Sequence, residues 1–124
     1  MKPKILVVED EPLLLDVYKE SLDGEEFIVD TAADGNQAWD KLSQGGFDLV
    51  LLDVILPEKD GLQLLRDLKK NPAKNPNKKI VFMTNLAEEG LIKQAKGLGV
   101  DEVMVKSDMT PAEFVGRVKE FLSN

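Results

Sequence analysis

Glu9, Asp10 and Glu11 stand together after the apolar run Lys4–Val8, Asp53 after Leu49–Leu52, Thr84 after Ile80–Met83, and Lys106 after Val103–Val105. Each side chain thus sits where a short apolar strand would end. Carboxylates gathered at one rim repel, since two unit charges about 4 Å apart cost about 4 kcal/mol at an effective dielectric near 20. Such a cluster calls for a bound cation or a raised pKa. Neither histidine nor cysteine occurs in the chain, so its hard oxygen donors suit magnesium or manganese, with water completing the shell. With a strand-end hydroxyl and a strand-end ammonium added, the set fits transfer of a phosphoryl group to a carboxylate. The carboxylate attacks, the metal neutralises phosphoryl oxygens, and lysine and hydroxyl stabilise the product dianion. Taken singly, each of these residues is as readily an ordinary polar strand end; the inference rests on four ends together.

For these ends to meet, the strands must run parallel. Apolar runs at Lys4–Val8, Phe27–Ala32, Leu49–Leu52, Ile80–Met83 and Val103–Val105 alternate with amphipathic stretches at Pro12–Leu22, Gln37–Leu42, Leu62–Leu68, Leu91–Leu98 and Pro111–Leu122. Strict strand–helix alternation predicts a parallel sheet with helices on both faces. The first, third and fourth runs are continuously apolar, as in strands covered on both sides. The second contains Asp30 and Thr31, and the fifth is flanked by Glu102 and Lys106, so these two read as edges. That pattern suggests strand order 2-1-3-4-5, although other orders with those edges fit it too. The fold class is therefore α/β: a flavodoxin-like, doubly wound, five-stranded parallel sheet with five helices on two faces. In such sheets ligands bind beyond the carboxyl ends where the strand order reverses, here between the first and third strands.

Helix starts are marked by Asp34-Gly35-Asn36-Gln37, by Asp60-Gly61-Leu62-Gln63 and by the capping box Thr110-Pro111-Ala112-Glu113. Gly97 and Gly99 punctuate the end of the fourth helix. The basic stretch Asn71–Lys79, with its prolines, reads as a mobile surface connection. The lone Trp39 shares an apolar helix face with Ala38 and Leu42, so core packing and a weak fluorescence response to magnesium are expected.

A chain of 124 residues suits one domain. Its net charge of -7 disfavours direct nucleic-acid or anionic-membrane contact through a basic patch. Lacking histidine, it is neither a His-based acid–base catalyst nor a phosphohistidine carrier. No apolar run reaches the roughly 18 residues of a membrane span, and the N-terminus carries no signal-peptide pattern, so a cytoplasmic protein without membrane insertion is expected. No output domain is expected after the fifth helix.

The motifs Ile5-Leu6-Val7-Val8-Glu9-Asp10-Glu11, Asp48-Leu49-Val50-Leu51-Leu52-Asp53-Val54-Ile55-Leu56-Pro57, Asp60-Gly61, Met83-Thr84 and Val105-Lys106 together resemble response-regulator receiver domains, over essentially the whole of residues 1–124. The resemblance implies that Asp53 is the phosphoacceptor. It implies that Glu9, Asp10, Asp53 and the backbone carbonyl of Ile55 hold Mg2+ (Mn2+ being possible), that Thr84 binds the phosphoryl group and that Lys106 pairs with it. The implied donor is a histidine kinase, a histidine phosphotransfer domain or a small acyl phosphate. The implied readers are downstream effector proteins at the surface of the fourth helix, fifth strand and fifth helix, with Pro12–Tyr18 as the donor contact. The implied role is phosphorelay signal transduction by a protein that is not an enzyme. Pro57 and Gly61 match the family's loop, as turn formers.

Departures from the family pattern are local. Val103 stands where the family often has an aromatic switch residue, which leaves Thr84 and the Asn85–Glu89 loop to carry the output. Ser107 follows the lysine where proline is usual; a cis bond there would cost about 2.5–4 kcal/mol. Asn85, Leu86 and Ile55 are bulky or apolar where a hydrolytic water would approach, so slow loss of the phosphoryl group is expected. Three alternatives are weaker. A flavodoxin-like FMN carrier would meet repulsion from Glu9-Asp10-Glu11, a phosphatase of the haloacid-dehalogenase type would need an acid–base residue where Ile55 stands, and a pseudo-receiver that only binds partners would have no use for the complete site.

Overall fold

The computed structural model describes residues 2–24, 26–54, 56–57, 59–85, 89–105 and 109–123. In chain order the elements are β1 (Lys4–Val8), α1 (Pro12–Leu22), β2 (Ile28–Ala32), α2 (Gly35–Gln44), β3 (Leu49–Asp53), α3 (Gly61–Lys70), β4 (Ile80–Thr84), α4 (Glu89–Gly97), β5 (Glu102–Val105) and α5 (Pro111–Ser123). The strands form one parallel sheet in the order β2-β1-β3-β4-β5, so the order suggested by strand polarity is the one adopted. Ile5–Val8 and Leu49–Leu52 are completely buried, whereas Ile28 on the edge strand β2 is 52% exposed.

Alternation along the strands divides the core in two. Leu6, Val8, Val50, Leu52 and Phe82 face α2, α3 and α4, where Ala38, Leu42, Leu64, Leu65 and Ala95 meet them. Ile5, Val7, Leu49, Leu51, Val81 and Met83 face Tyr18, Leu22, Phe114, Val118 and Phe121 of α1 and α5. Both faces of β1, β3 and β4 are thus covered, which is why their sequences show no polar alternation. Burying each such leucine contributes about 1.5–3 kcal/mol, and this rigid frame sets where the strand ends fall. In register, Val8 lies beside Leu52, Asp53 beside Met83, and Thr84 beside Val105.

The caps act as expected. Asp34 accepts a hydrogen bond from the Gln37 N–H at 2.8 Å, and Asp60 from the Gln63 N–H at 2.9 Å. Thr110 and Glu113 exchange backbone-to-side-chain bonds at 3.2 Å in both directions. Satisfying these first-turn donors lets α2 and α3 begin ahead of their apolar residues. Both helices therefore extend past the predicted stretches at each end.

One expectation needs correcting. The polar stretch Asn71–Lys79 lies at the surface but is strapped to the end of α2. Lys74 N–H donates to Ser43 O at 2.9 Å, Gly46 N–H to Asn75 O at 3.1 Å, and Lys78 N–H to Phe47 O at 2.9 Å. The Asn77 side chain donates to Leu42 O at 3.2 Å. Gly45, at φ +73°, passes so close that a Cβ there would lie 1.7 Å from Asn75 O. Backbone hydrogen bonds outside the regular elements, aided by the Asn75 and Asn77 side chains, hold this stretch, so composition read as looseness while the hydrogen bonding is dense. No helix among the described residues is long and apolar enough to cross a membrane.

Candidate functional site

Glu9 follows β1 and continues its ladder by one step, its N–H donating to Ala32 O at 3.0 Å. It is 0% exposed, an unusual state for a glutamate. Asp10, next in the chain, is exposed. Asp53 closes β3 and is 4% exposed. One carboxylate oxygen from each of Glu9, Asp10 and Asp53 lies within 4.8 Å of the other two. That is close to the span of donors about one hard cation, about 4.2 Å across for magnesium. All three donors are oxygens, so the residues fit a magnesium-type ion in both chemistry and spacing. Glu11 does another job, its carbonyl accepting from Leu15 N–H at 2.9 Å as α1 begins.

Thr84 closes β4 on the neighbouring strand and is 6% exposed. Asp53 pairs with Met83 in the ladder, so the threonine stands one step further along on the same rim. Lys106, Ile55, Leu86 and Ser107 lie outside the described residues, and the readings attached to them stay expectations. Val103 is half-buried and packs against the core cluster beneath α4, so the position that could have carried an aromatic ring is filled by core packing.

Among the described residues between Asp53 and α3, backbone hydrogen bonds hold Val54, Pro57, Lys59 and Gly61. Val54 N–H donates to Met83 O at 3.2 Å, and Gly61 N–H donates back to Val54 O at 2.8 Å. A Cβ on Gly61 would lie 2.6 Å from the Asp53 carbonyl oxygen and 2.7 Å from Phe82 Cε1. Gly61 therefore does more than form a turn: it lets α3 approach the backbone of Asp53. Pro57 O accepts from both Gly35 N–H at 3.2 Å and Lys59 N–H at 2.8 Å. Trp39 packs partly on the core as expected, and its outer face carries the Lys59 ammonium 4.8 Å from the ring centre. That ammonium also pairs with Asp67, whose carboxyl is held below its ordinary range, first by this hydrogen bond and then, against desolvation, by one from Gln63. Nothing in the spacing of Trp39, Lys59 and Asp67 announces this contact, because it joins two helices and a loop.

A buried aspartate and two further acids at cation spacing, set at the switch point of a doubly wound parallel sheet, define a class of acid-pocket α/β domains. The family model for the response regulator receiver domain matches residues 5–119, and the chain belongs to that family. It is 37% identical over 122 residues to the phosphate regulon transcriptional regulatory protein PhoB of Rhizobium meliloti, covering 98% of this chain and 53% of that protein. It is 34% identical over 119 residues to the transcriptional regulatory protein ResD of Bacillus subtilis, covering 96% of this chain and 48% of that protein. Among solved structures, a CheY-like response regulator receiver domain protein from Methanospirillum hungatei superposes with a TM-score of 0.83 at 27% identity, covering 99% of this chain and 95% of that one. The chain thus spans about half the length of these curated relatives. The match does not favour an FMN carrier or a pseudo-receiver.

Proposed function

We propose that residues 1–124 form one receiver unit that takes up a phosphoryl group on Asp53 in a two-component phosphorelay. The observation that carries this reading is the buried Asp53 within 4.8 Å of Glu9 and Asp10 carboxylate oxygens at the rim of β1 and β3. Glu9, Asp10 and Asp53 would hold magnesium, with the Ile55 carbonyl as a further ligand from the family resemblance. When bound, the metal supplies positive charge against the phosphoryl oxygens.

The remaining work belongs to the chain's own groups. Asp53 attacks phosphorus through a carboxylate oxygen. A P–O bond forms, and the P–N bond of a phosphohistidine, or the P–O bond of an acyl phosphate, breaks with its electron pair leaving on the donor. Thr84 donates its hydroxyl to a phosphoryl oxygen, and Lys106 offsets the charge of the product. Burial of Asp53 keeps bulk water from the acyl phosphate. The chain is consumed as an acceptor and turns over only when the phosphoryl group is lost, so it is not an enzyme in the multiple-turnover sense.

The fitting partners are a histidine kinase or phosphotransfer domain, at Leu13 and Val17, which are 74% and 42% exposed, and an effector at the α4–β5–α5 face, in a cytoplasmic setting. The acidic charge argues against nucleic-acid contact by these residues alone. The matched relatives are named as transcriptional regulators and are about twice as long, so for any longer protein that argument lapses.

The test is intact mass after incubation with acetyl phosphate and magnesium. A gain of one phosphoryl group in wild type and none in Asp53→Asn is expected. No gain in wild type, with a cognate donor also supplied, overturns the reading.

A further inference from the structure

Lys59 stands just before the Asp60 cap of α3, on the stretch that leads away from Asp53. Its side chain and that of Asp67 are only 29% and 20% exposed, so their pairing is less screened than that of a fully solvated pair. The ammonium also lies over the Trp39 ring, 4.8 Å from its centre. The start of α2 also passes close to this backbone, since a Cβ on Gly35 would come 2.2 Å from Lys59 O. One side chain thus ties the Lys59–Gly61 stretch to α2 through Trp39 and to α3 through Asp67, and Gly61, two residues on, lies close against the carbonyl of Asp53.

We propose that Lys59 is a positioning residue for magnesium and phosphoryl binding at Asp53, an inference that rests on the receiver reading above. It acts by holding the Lys59–Gly61 stretch against the Asp53 backbone before the ligand arrives, so that this ordering is not lost from the binding free energy. Its own charge is directed to Asp67 and the Trp39 face.

The test is magnesium titration by calorimetry on the whole chain, with urea unfolding in chelator measured alongside. Lys59→Met is expected to raise the magnesium Kd about fivefold, the factor carried by one partly shielded ion pair with a ring contact. Lys59→Arg retains a cation able to pair with Asp67 and to stack on an aromatic face and is expected to stay within about twofold of wild type. Asp67→Asn, a milder change if Lys59→Met folds poorly, is expected to raise the Kd in the same direction. The double variant should be no worse than Lys59→Met, because the two side chains act as one unit.

An unchanged Kd in both single variants, whatever their urea midpoints, overturns the proposal while leaving the receiver reading intact. A tighter Kd in Lys59→Met, the mark of simple repulsion between lysine and cation, also overturns it. No magnesium binding by wild type overturns both.

Discussion

At the amino end of the sheet, Asp48 accepts from the Lys4 N–H at 2.8 Å and pairs with Lys78 at 3.1 Å, and Asp101 accepts from the Ile80 N–H at 2.8 Å. At the carboxyl end, Glu9, Asp10 and Asp53 bring their oxygens within 4.8 Å of one another. The acids are chemically alike, and β3 has one at each end, Asp48 before it and Asp53 closing it. At one rim Asp48 and Asp101 each accept a backbone hydrogen bond, and Asp48 also meets a lysine. At the other, three carboxylates share one small space, an arrangement suited to receiving a cation and a phosphoryl group.

The largest effect that distinguishes the rims is chemical. Asp53→Asn should lower phosphoryl incorporation by at least about 100-fold, while Asp48→Asn should leave it within about twofold, both read by intact mass over time. Comparable losses in the two would erase the distinction. Next comes the strap at the amino side. Gly45→Ala forces a Cβ into Asn75 O and strains a backbone at φ +73°. It should cost about 2–3 kcal/mol in urea unfolding with magnesium affinity little changed.

Third, the crowded rim should reveal itself through metal linkage. In chelator, Asp10→Asn should unfold later than wild type by about 1 kcal/mol, since one like charge is gone. At magnesium ten times its Kd the wild type should gain about 1.4 kcal/mol and the order should reverse.

The smallest effect concerns pH. The Lys4 N–H, and then Lys78, hold the Asp48 carboxyl below its ordinary range. A depressed folded-state pKa contributes stability that is present above the unfolded value, about 3.9, and lost as pH falls through the folded value. Asp48→Asn should therefore cost about 0.5 kcal/mol at neutral pH, with the gap closing as the solution is acidified below about pH 4. A gap that widened in acid would reverse the assigned sign.

Strand order, the two-faced core and the meeting of Glu9, Asp10 and Asp53 were all legible in the sequence. They depend on patterns that repeat at short range: continuous apolar runs, Asp caps, and polar residues placed just beyond strand ends. What could not be read depends on contacts between distant segments. The strap at Asn75 and Asn77 looks like any polar loop until Gly45 is seen beneath it. Trp39 looked like plain core until Lys59 was found on its outer face. Gly61 carried a turn signal that concealed its closer task against the Asp53 carbonyl.

The strap also bears on how the molecule can be engineered. Surface loops rich in asparagine, lysine and proline are the usual places to splice in a tag or a sensor module. Here an insertion among residues 74–78 would cut the bonds that hold the end of α2 to the segment entering β4. Sequence alone would nominate this loop as a permissive graft point, and its hydrogen bonding argues against it.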